Sequence, residues 1–128
     1  MHTFPLVLIV DDDEDDQEFL KIVAEQSAFP GQLLFAQDGR QALELLASQQ
    51  PDLVISDVNM PRMNGLELLA HLKTSTQWQQ IPFILLTTNG SQEASERAYA
   101  QGVTQFLSKP SSQTELAQLW KQLTHAYC

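Results

Sequence analysis

A chain of 128 residues that is 43% hydrophobic and 18% charged has apolar content for one packed core, which argues against disorder, and one domain over 1–128 is expected. Seven lysines and arginines against sixteen aspartates and glutamates leave a net charge of -9, and six acids run from Asp11 to Asp16, so direct nucleic-acid binding is not expected. The one cysteine, Cys128, has no intrachain partner, and the apolar stretch Phe4 to Val10 is too short for a membrane span and lacks a basic leader and cleavage site. A reducing, cytoplasmic setting with no membrane association is therefore expected.

Apolar runs alternate with stretches of helical period, the pattern of a parallel sheet covered on both faces by helices. Leu6 to Val10 is the first strand and runs directly into the acids. Glu14 to Ser27, with Phe19, Leu20, Val23 and Ala24 at helical spacing, is the first helix, stopped by Pro30-Gly31. Leu33 to Gln37 is a short second strand. Asp38-Gly39 turns the chain into a helix carrying Ala42, Leu43, Leu45 and Leu46, and Pro51 ends it. The third strand, Leu53 to Asp57, is followed by a helix opened by Asn64-Gly65 and carrying Leu66, Leu68, Leu69 and Leu72. A polar loop, Thr74 to Gln80, precedes the fourth strand, Phe83 to Leu86. Ser91 caps a fourth helix that ends at Gly102. Thr104 to Ser108 is the fifth strand, and Leu116, Leu119, Trp120 and Leu123 form the buried face of the last helix. The fold class is α/β, with five strands and five helices.

The ends of these strands carry the chemistry. An open α/β sheet presents its ligands at the carboxyl ends of its strands, and there stand Asp11-Asp12, Asp57, Thr87-Thr88 and Lys109-Pro110. Three acids on one sheet edge repel each other and call for a cation. An all-oxygen set selects magnesium, manganese or calcium, and few protein ligands with several waters suit magnesium. Asp12 and Asp57 are the expected ligands, with Asp11 acting through water. Asp13 to Asp16 read instead as acids favouring the positive end of the first helix. Lys109 is a point charge suited to phosphate, and a cis Lys109-Pro110 bond would aim it inward. The Thr87 hydroxyl is placed to donate to Asp57, although threonine is also an ordinary strand residue.

Taken together, Val10-Asp11-Asp12, Ser56-Asp57-Val58-Asn59-Met60-Pro61 with Asn64-Gly65, Leu86-Thr87-Thr88 and Lys109-Pro110 resemble the receiver domain of two-component response regulators, and Asp38-Gly39 with Ala42-Leu43 adds a softer match. The chain is similar to stand-alone, CheY-like receivers without an output domain. Its Trp78 loop and Leu86-Thr87-Thr88 also resemble small receivers paired with phytochrome-type kinases. The resemblance implies a doubly wound, flavodoxin-like sheet in the order 2-1-3-4-5. It implies magnesium-dependent transfer of a phosphoryl group from a histidine kinase or phosphotransfer protein to Asp57, followed by binding of a downstream protein. The chain would then catalyse only its own phosphorylation and dephosphorylation. It also implies that the Asn59 backbone carbonyl is a metal ligand, that Thr87, Thr88 and Lys109 contact the phosphoryl group, and that Phe106 is the aromatic that follows Thr87 inward. Phe106 departs from the tyrosine or histidine often found there. The resemblance further implies that Asn59 and Asn89, two residues after Asp57 and Thr87, flank the approach of a hydrolytic water, and their amides can hold it without adding charge. A homodimer through helix 4, strand 5 and helix 5 is a further expectation, with Tyr99, Trp120 and Tyr127 near that face or in the core.

Three other functions compete. A phosphatase of the haloacid dehalogenase type needs a general acid where Asn59 stands, and an amide cannot donate a proton in that way. A flavin binder needs a phosphate cradle after the first strand, where Asp11-Asp12-Asp13 would repel one. A receiver-like interaction module that acts without phosphorylation is disfavoured by the presence of Asp57, Thr87 and Lys109 together.

Overall fold

The apolar runs all become strands, and every strand pairs in parallel. The computed structural model describes residues 4–128. Its strands are β1 (Leu6–Val10), β2 (Gln32–Ala36), β3 (Leu53–Asp57), β4 (Phe83–Thr87) and β5 (Gln105–Ser108), and its helices are α1 (Glu14–Gln26), α2 (Gly39–Leu46), α3 (Gly65–Lys73), α4 (Gln92–Ala100) and α5 (Gln113–Tyr127). The sheet order is β2-β1-β3-β4-β5. The chain reverses its winding between β1 and β3, so their carboxyl ends border the crevice where such sheets bind ligands.

Alternate strand residues feed two cores, as the two-residue period of a strand requires. Leu8, Val10, Val54 and Leu85 face α2, α3 and α4 and meet Leu46, Leu68, Leu69 and Leu72. Val7, Ile9, Leu53, Ile55 and Ile84 face α1 and α5 and meet Leu20, Val23, Trp120 and Leu123. Each fully buried leucine contributes roughly 1.5–3 kcal/mol. Trp120 is 1% exposed and packs edge-on against Phe29 at 5.0 Å, so it belongs to this second core and not to an outer face. Phe19 corrects the sequence reading. It shares helical spacing with Leu20 and Val23 but is 49% exposed, because the apolar stripe is narrower than its hydrophobic residues.

The helix starts follow their capping residues. Asp13, Asp38, Asn64, Ser91 and Ser112 each accept a backbone N–H from the first turn of α1 to α5, and Asn64 with Glu67 forms a reciprocal capping box. Gly102, with φ 94°, follows α4 as expected. By contrast, α2 stops at Leu46, five residues before Pro51.

Gly65 decides how closely α3 approaches the end of β3. Its N–H donates to the Val58 carbonyl at 2.9 Å. A Cβ there would overlap the Asp57 carbonyl oxygen and stand 2.7 Å from Leu85 Cδ2. Because the first of these neighbours is backbone, it cannot yield cheaply. Gly65→Ala is expected to lower stability by about 2 kcal/mol through overpacking, measured by urea unfolding.

Candidate functional site

The acids reach one place because pairing continues past the strand ends. Asp11 N–H donates to the Ala36 carbonyl at 2.9 Å, which prolongs the β1–β2 ladder, and Lys109 N–H donates to the Thr87 carbonyl at 2.8 Å, which prolongs β4–β5. Asp57 is the last residue of β3, beside Leu86 of β4. Carboxylate oxygens of Asp11, Asp12 and Asp57 all lie within 4.8 Å of one another. Such an oxygen-only group, with Asp11 buried and Asp12 exposed, fits a hard divalent cation reached from solvent.

Lys109 crosses from β5 to the acids. Its Nζ lies 3.2 Å from Asp57 Oδ2, 3.1 Å from Asp11 Oδ2 and 2.6 Å from Asp16 Oδ2. It arrives there through a trans Lys109-Pro110 bond, since the described residues contain no cis peptide, so the cis geometry suggested by the sequence is not needed.

Asp16 is the residue that the sequence reading missed. In the sequence it groups with the acids at the positive end of α1. Helical side chains tilt toward the amino terminus, and from the first turn of α1 this carries the Asp16 carboxylate back to the sheet edge. The signal is its place in the first turn of a helix that starts directly after the strand-end acids.

Four carboxylates share one ammonium, which contacts Asp11, Asp16 and Asp57 but not Asp12, and the cluster is electrostatically frustrated. Burial, reinforced by the Asp57 charge, pushes Asp11 up to about 6, against the pull of the Asp13 N–H and Lys109. Burial also raises Asp57 above the usual carboxylate range, and Asp12 and Asp16 add to the effect while Lys109 opposes it. Burial works against the Lys109 ammonium, but the hydrogen bond to Asp16 and the charges of Asp11 and Asp57 together hold its pKa above the ordinary lysine value.

The remaining residues are distributed around this centre. Asn59 is exposed in the 58–64 loop, and its carbonyl accepts no hydrogen bond among the described residues. Thr87 is buried, and its hydroxyl accepts the Asn89 N–H at 3.2 Å; among the described residues it makes no hydrogen bond to Asp57, where donation was expected. Thr88 and Asn89 are exposed at the rim. Phe106 is half-buried. A Cβ at Gly90 would stand 3.0 Å from Thr87 Cγ2 and 3.4 Å from Phe106 Cε1, so both side chains flank this glycine. An apolar cavity of about 250 Å³ runs from Asp57 and Lys109 between α1 and α5, with Phe19 and Trp120 among its lining residues.

Residues 7–121 match the response regulator receiver domain family. Over 110 residues the chain is 36% identical to the response regulator MprA of Mycolicibacterium vanbaalenii; the match covers 86% of this chain and 46% of that protein. The chemotaxis response regulator CheY4 of Vibrio cholerae superposes with a TM-score of 0.82 at 30% identity, covering 94% of this chain and 99% of that one. The Mn(2+)-bound form of response regulator Rcp1 superposes with a TM-score of 0.82 at 25% identity, covering 93% and 91% of the two chains. Among the described residues, no helix is long and apolar enough to cross a membrane.

The raised acids fix a pH dependence. A carboxyl whose pKa rises on folding contributes stability below its unfolded pKa and loses it as pH climbs through the folded value. For Asp11 that window lies between 3.8 and about 6. Without divalent cation, the stability contributed by Asp11 should therefore fall by at most about 3 kcal/mol across the window. Added divalent cation should raise the melting temperature at neutral pH and have little effect below about pH 4. Thermal unfolding with and without cation over this range measures both. A cation effect that does not depend on pH would contradict the assignment.

Proposed function

We propose, for a chain that belongs to the response regulator receiver domain family, that Asp57 accepts a phosphoryl group from the phosphohistidine of a histidine kinase or phosphotransfer protein, and that the product switches binding of a downstream protein. One observation carries this reading: Lys109 Nζ lies within 3.2 Å of Asp57 Oδ2, at the edge where three carboxylates gather. In the proposed step an Asp57 oxygen attacks phosphorus. The new O–P bond forms as the N–P bond of the donor breaks, and the imidazole leaves with the electron pair. Phosphoryl transfer depends on positioning and charge neutralisation, and Lys109 supplies a fixed positive charge for the transferred oxygens.

The proposed metal ligands are Asp12, Asp57 and the Asn59 backbone carbonyl, with Asp11 in support through water. Magnesium, or manganese, suits this oxygen-only set and when bound would neutralise charge on the phosphoryl oxygens. The hydroxyls of Thr87 and Thr88 are the proposed phosphoryl contacts. The Thr87 hydroxyl, which accepts the Asn89 N–H, would donate its hydrogen to a phosphoryl oxygen, and the shared packing at Gly90 supports a linked movement of Phe106. For contact with another protein or a second copy, the α4–β5–α5 face is supported by Tyr99, which is 50% exposed and accepts the Phe106 N–H at 3.2 Å.

A small-molecule phosphodonor with magnesium should add one phosphoryl group, read by intact mass. Asp57→Asn should abolish the addition, because an amide is a far weaker nucleophile. Lys109→Ala should slow it by at least about 100-fold, the effect of losing one preorganised charge partner. Full labelling of Asp57→Asn would place the acceptor elsewhere.

Hydrolysis of the product requires a water opposite the leaving Asp57 oxygen, and Asn59 and Asn89 are the proposed residues that admit it. After donor removal, Asn89→Leu should lose its phosphoryl group more slowly than the unsubstituted protein. An equal or faster decay would remove Asn89 from this role.

A further inference from the structure

Asp38-Gly39 reads in the sequence as a turn into α2, yet the Asp38 side chain is buried and both of its oxygens are engaged. Oδ1 accepts the Gln41 N–H at 2.9 Å and caps the helix. Oδ2 accepts Arg62 Nε at 2.7 Å and lies 2.6 Å from Arg62 Nη2, so two guanidinium nitrogens grip one carboxylate. The Gln41 N–H, followed by Arg62, holds the Asp38 carboxyl below the usual range.

Arg62 lies in the loop between β3 and α3 and adopts φ 64°, a region that non-glycine residues rarely occupy without support. Beside it, Gly39 N–H donates to the Met63 carbonyl at 3.0 Å, and a Cβ at Gly39 would stand 2.6 Å from Met63 Cγ. The near end of the loop is held by Val58, which donates to the Leu86 carbonyl at 3.0 Å and accepts from Gly65 at 2.9 Å. Between these anchors the Asn59 backbone makes no hydrogen bond among the described residues. Its carbonyl is therefore positioned by the two ends of the loop, and the far end is docked on α2.

We infer that the Asp38–Arg62 pair positions the metal site by fixing the loop that carries the Asn59 carbonyl. The inference rests on the proposed role of that carbonyl as a ligand. Asp38 and Arg62 are positioning residues that act through the backbone of 58–64.

Electrostatics and positioning predict opposite signs for one substitution. Arg62→Gln removes a positive charge, and Coulomb attraction alone would tighten cation binding. Loss of positioning would weaken it. In unphosphorylated protein, Mn2+ titration followed by the electron paramagnetic resonance of the free ion, with Mg2+ followed by the Asn59 amide shift, should show Arg62→Gln binding about tenfold more weakly, the low end for lost outer-shell support. Asp38→Asn, which preserves the α2 cap, should weaken binding similarly but also removes a negative charge, so Arg62→Lys, which keeps the charge and loses the two-nitrogen grip, keeps the test decisive if Arg62→Gln does not fold and should also bind more weakly. The double variant should bind no worse than either single one, because the two residues act as a unit. Equal or tighter binding by Arg62→Gln or unchanged binding by Asp38→Asn, alongside weakened binding in an Asp12→Asn control, would overturn this inference alone. An Asp12→Asn protein that binds as tightly as the unsubstituted one would overturn the metal-site reading as well.

Discussion

The structure is organised around a repulsion it does not remove. Asp11, Asp12, Asp16 and Asp57 crowd the carboxyl ends of β1 and β3 against a single ammonium. Such an arrangement is costly in a partly dry crevice, because burial disfavours every unpaired charge. It persists because a large apolar core on each face of the sheet outweighs it. The cost is also the basis of the chemistry, since a cleft holding surplus negative charge favours a cation at the same edge where the proposed acceptor stands.

Lys109 occupies the centre of this balance. It is held by three carboxylates, from α1 and from the ends of β1 and β3, and its own backbone N–H extends the β4–β5 ladder. Its ammonium is therefore placed by the sheet and does not depend on a flexible loop. The same logic extends outward. Gly65 lets α3 start against the Asp57 carbonyl, Val58 ties the loop to β4, and Asp38 with Arg62 ties its far end to α2. Geometry at the site is thus a property of several helix starts packed at one end of the sheet, which is how this architecture gives precision to groups carried on loops.

Much of this was legible in the residues. The five apolar runs, the helix-start residues Asp38, Asn64 and Ser91, and the acids, hydroxyl and lysine at the strand ends are local signals, and each appears in the structure close to its expected place. What escaped the sequence reading depended on direction. Phe19 and Leu20 are neighbours in an apolar stretch, yet one is exposed and the other buried, because only the packing of α1 against α5 decides which way the stripe faces. Asp16 resembled its acidic neighbours until the tilt of α1 brought it to Lys109.

The sequence by itself determined the class of fold, the order of its elements and the residues gathered at the sheet edge, because strand period, helix caps and strand-end polar groups are short-range features. Tertiary structure alone decided that Lys109 reaches three carboxylates, that Thr87 bonds the Asn89 N–H, and that Asp38 reaches Arg62 across 24 residues of chain. These contacts join elements distant in sequence. Their partners are selected by how the helices settle on the sheet, and no local pattern encodes that choice.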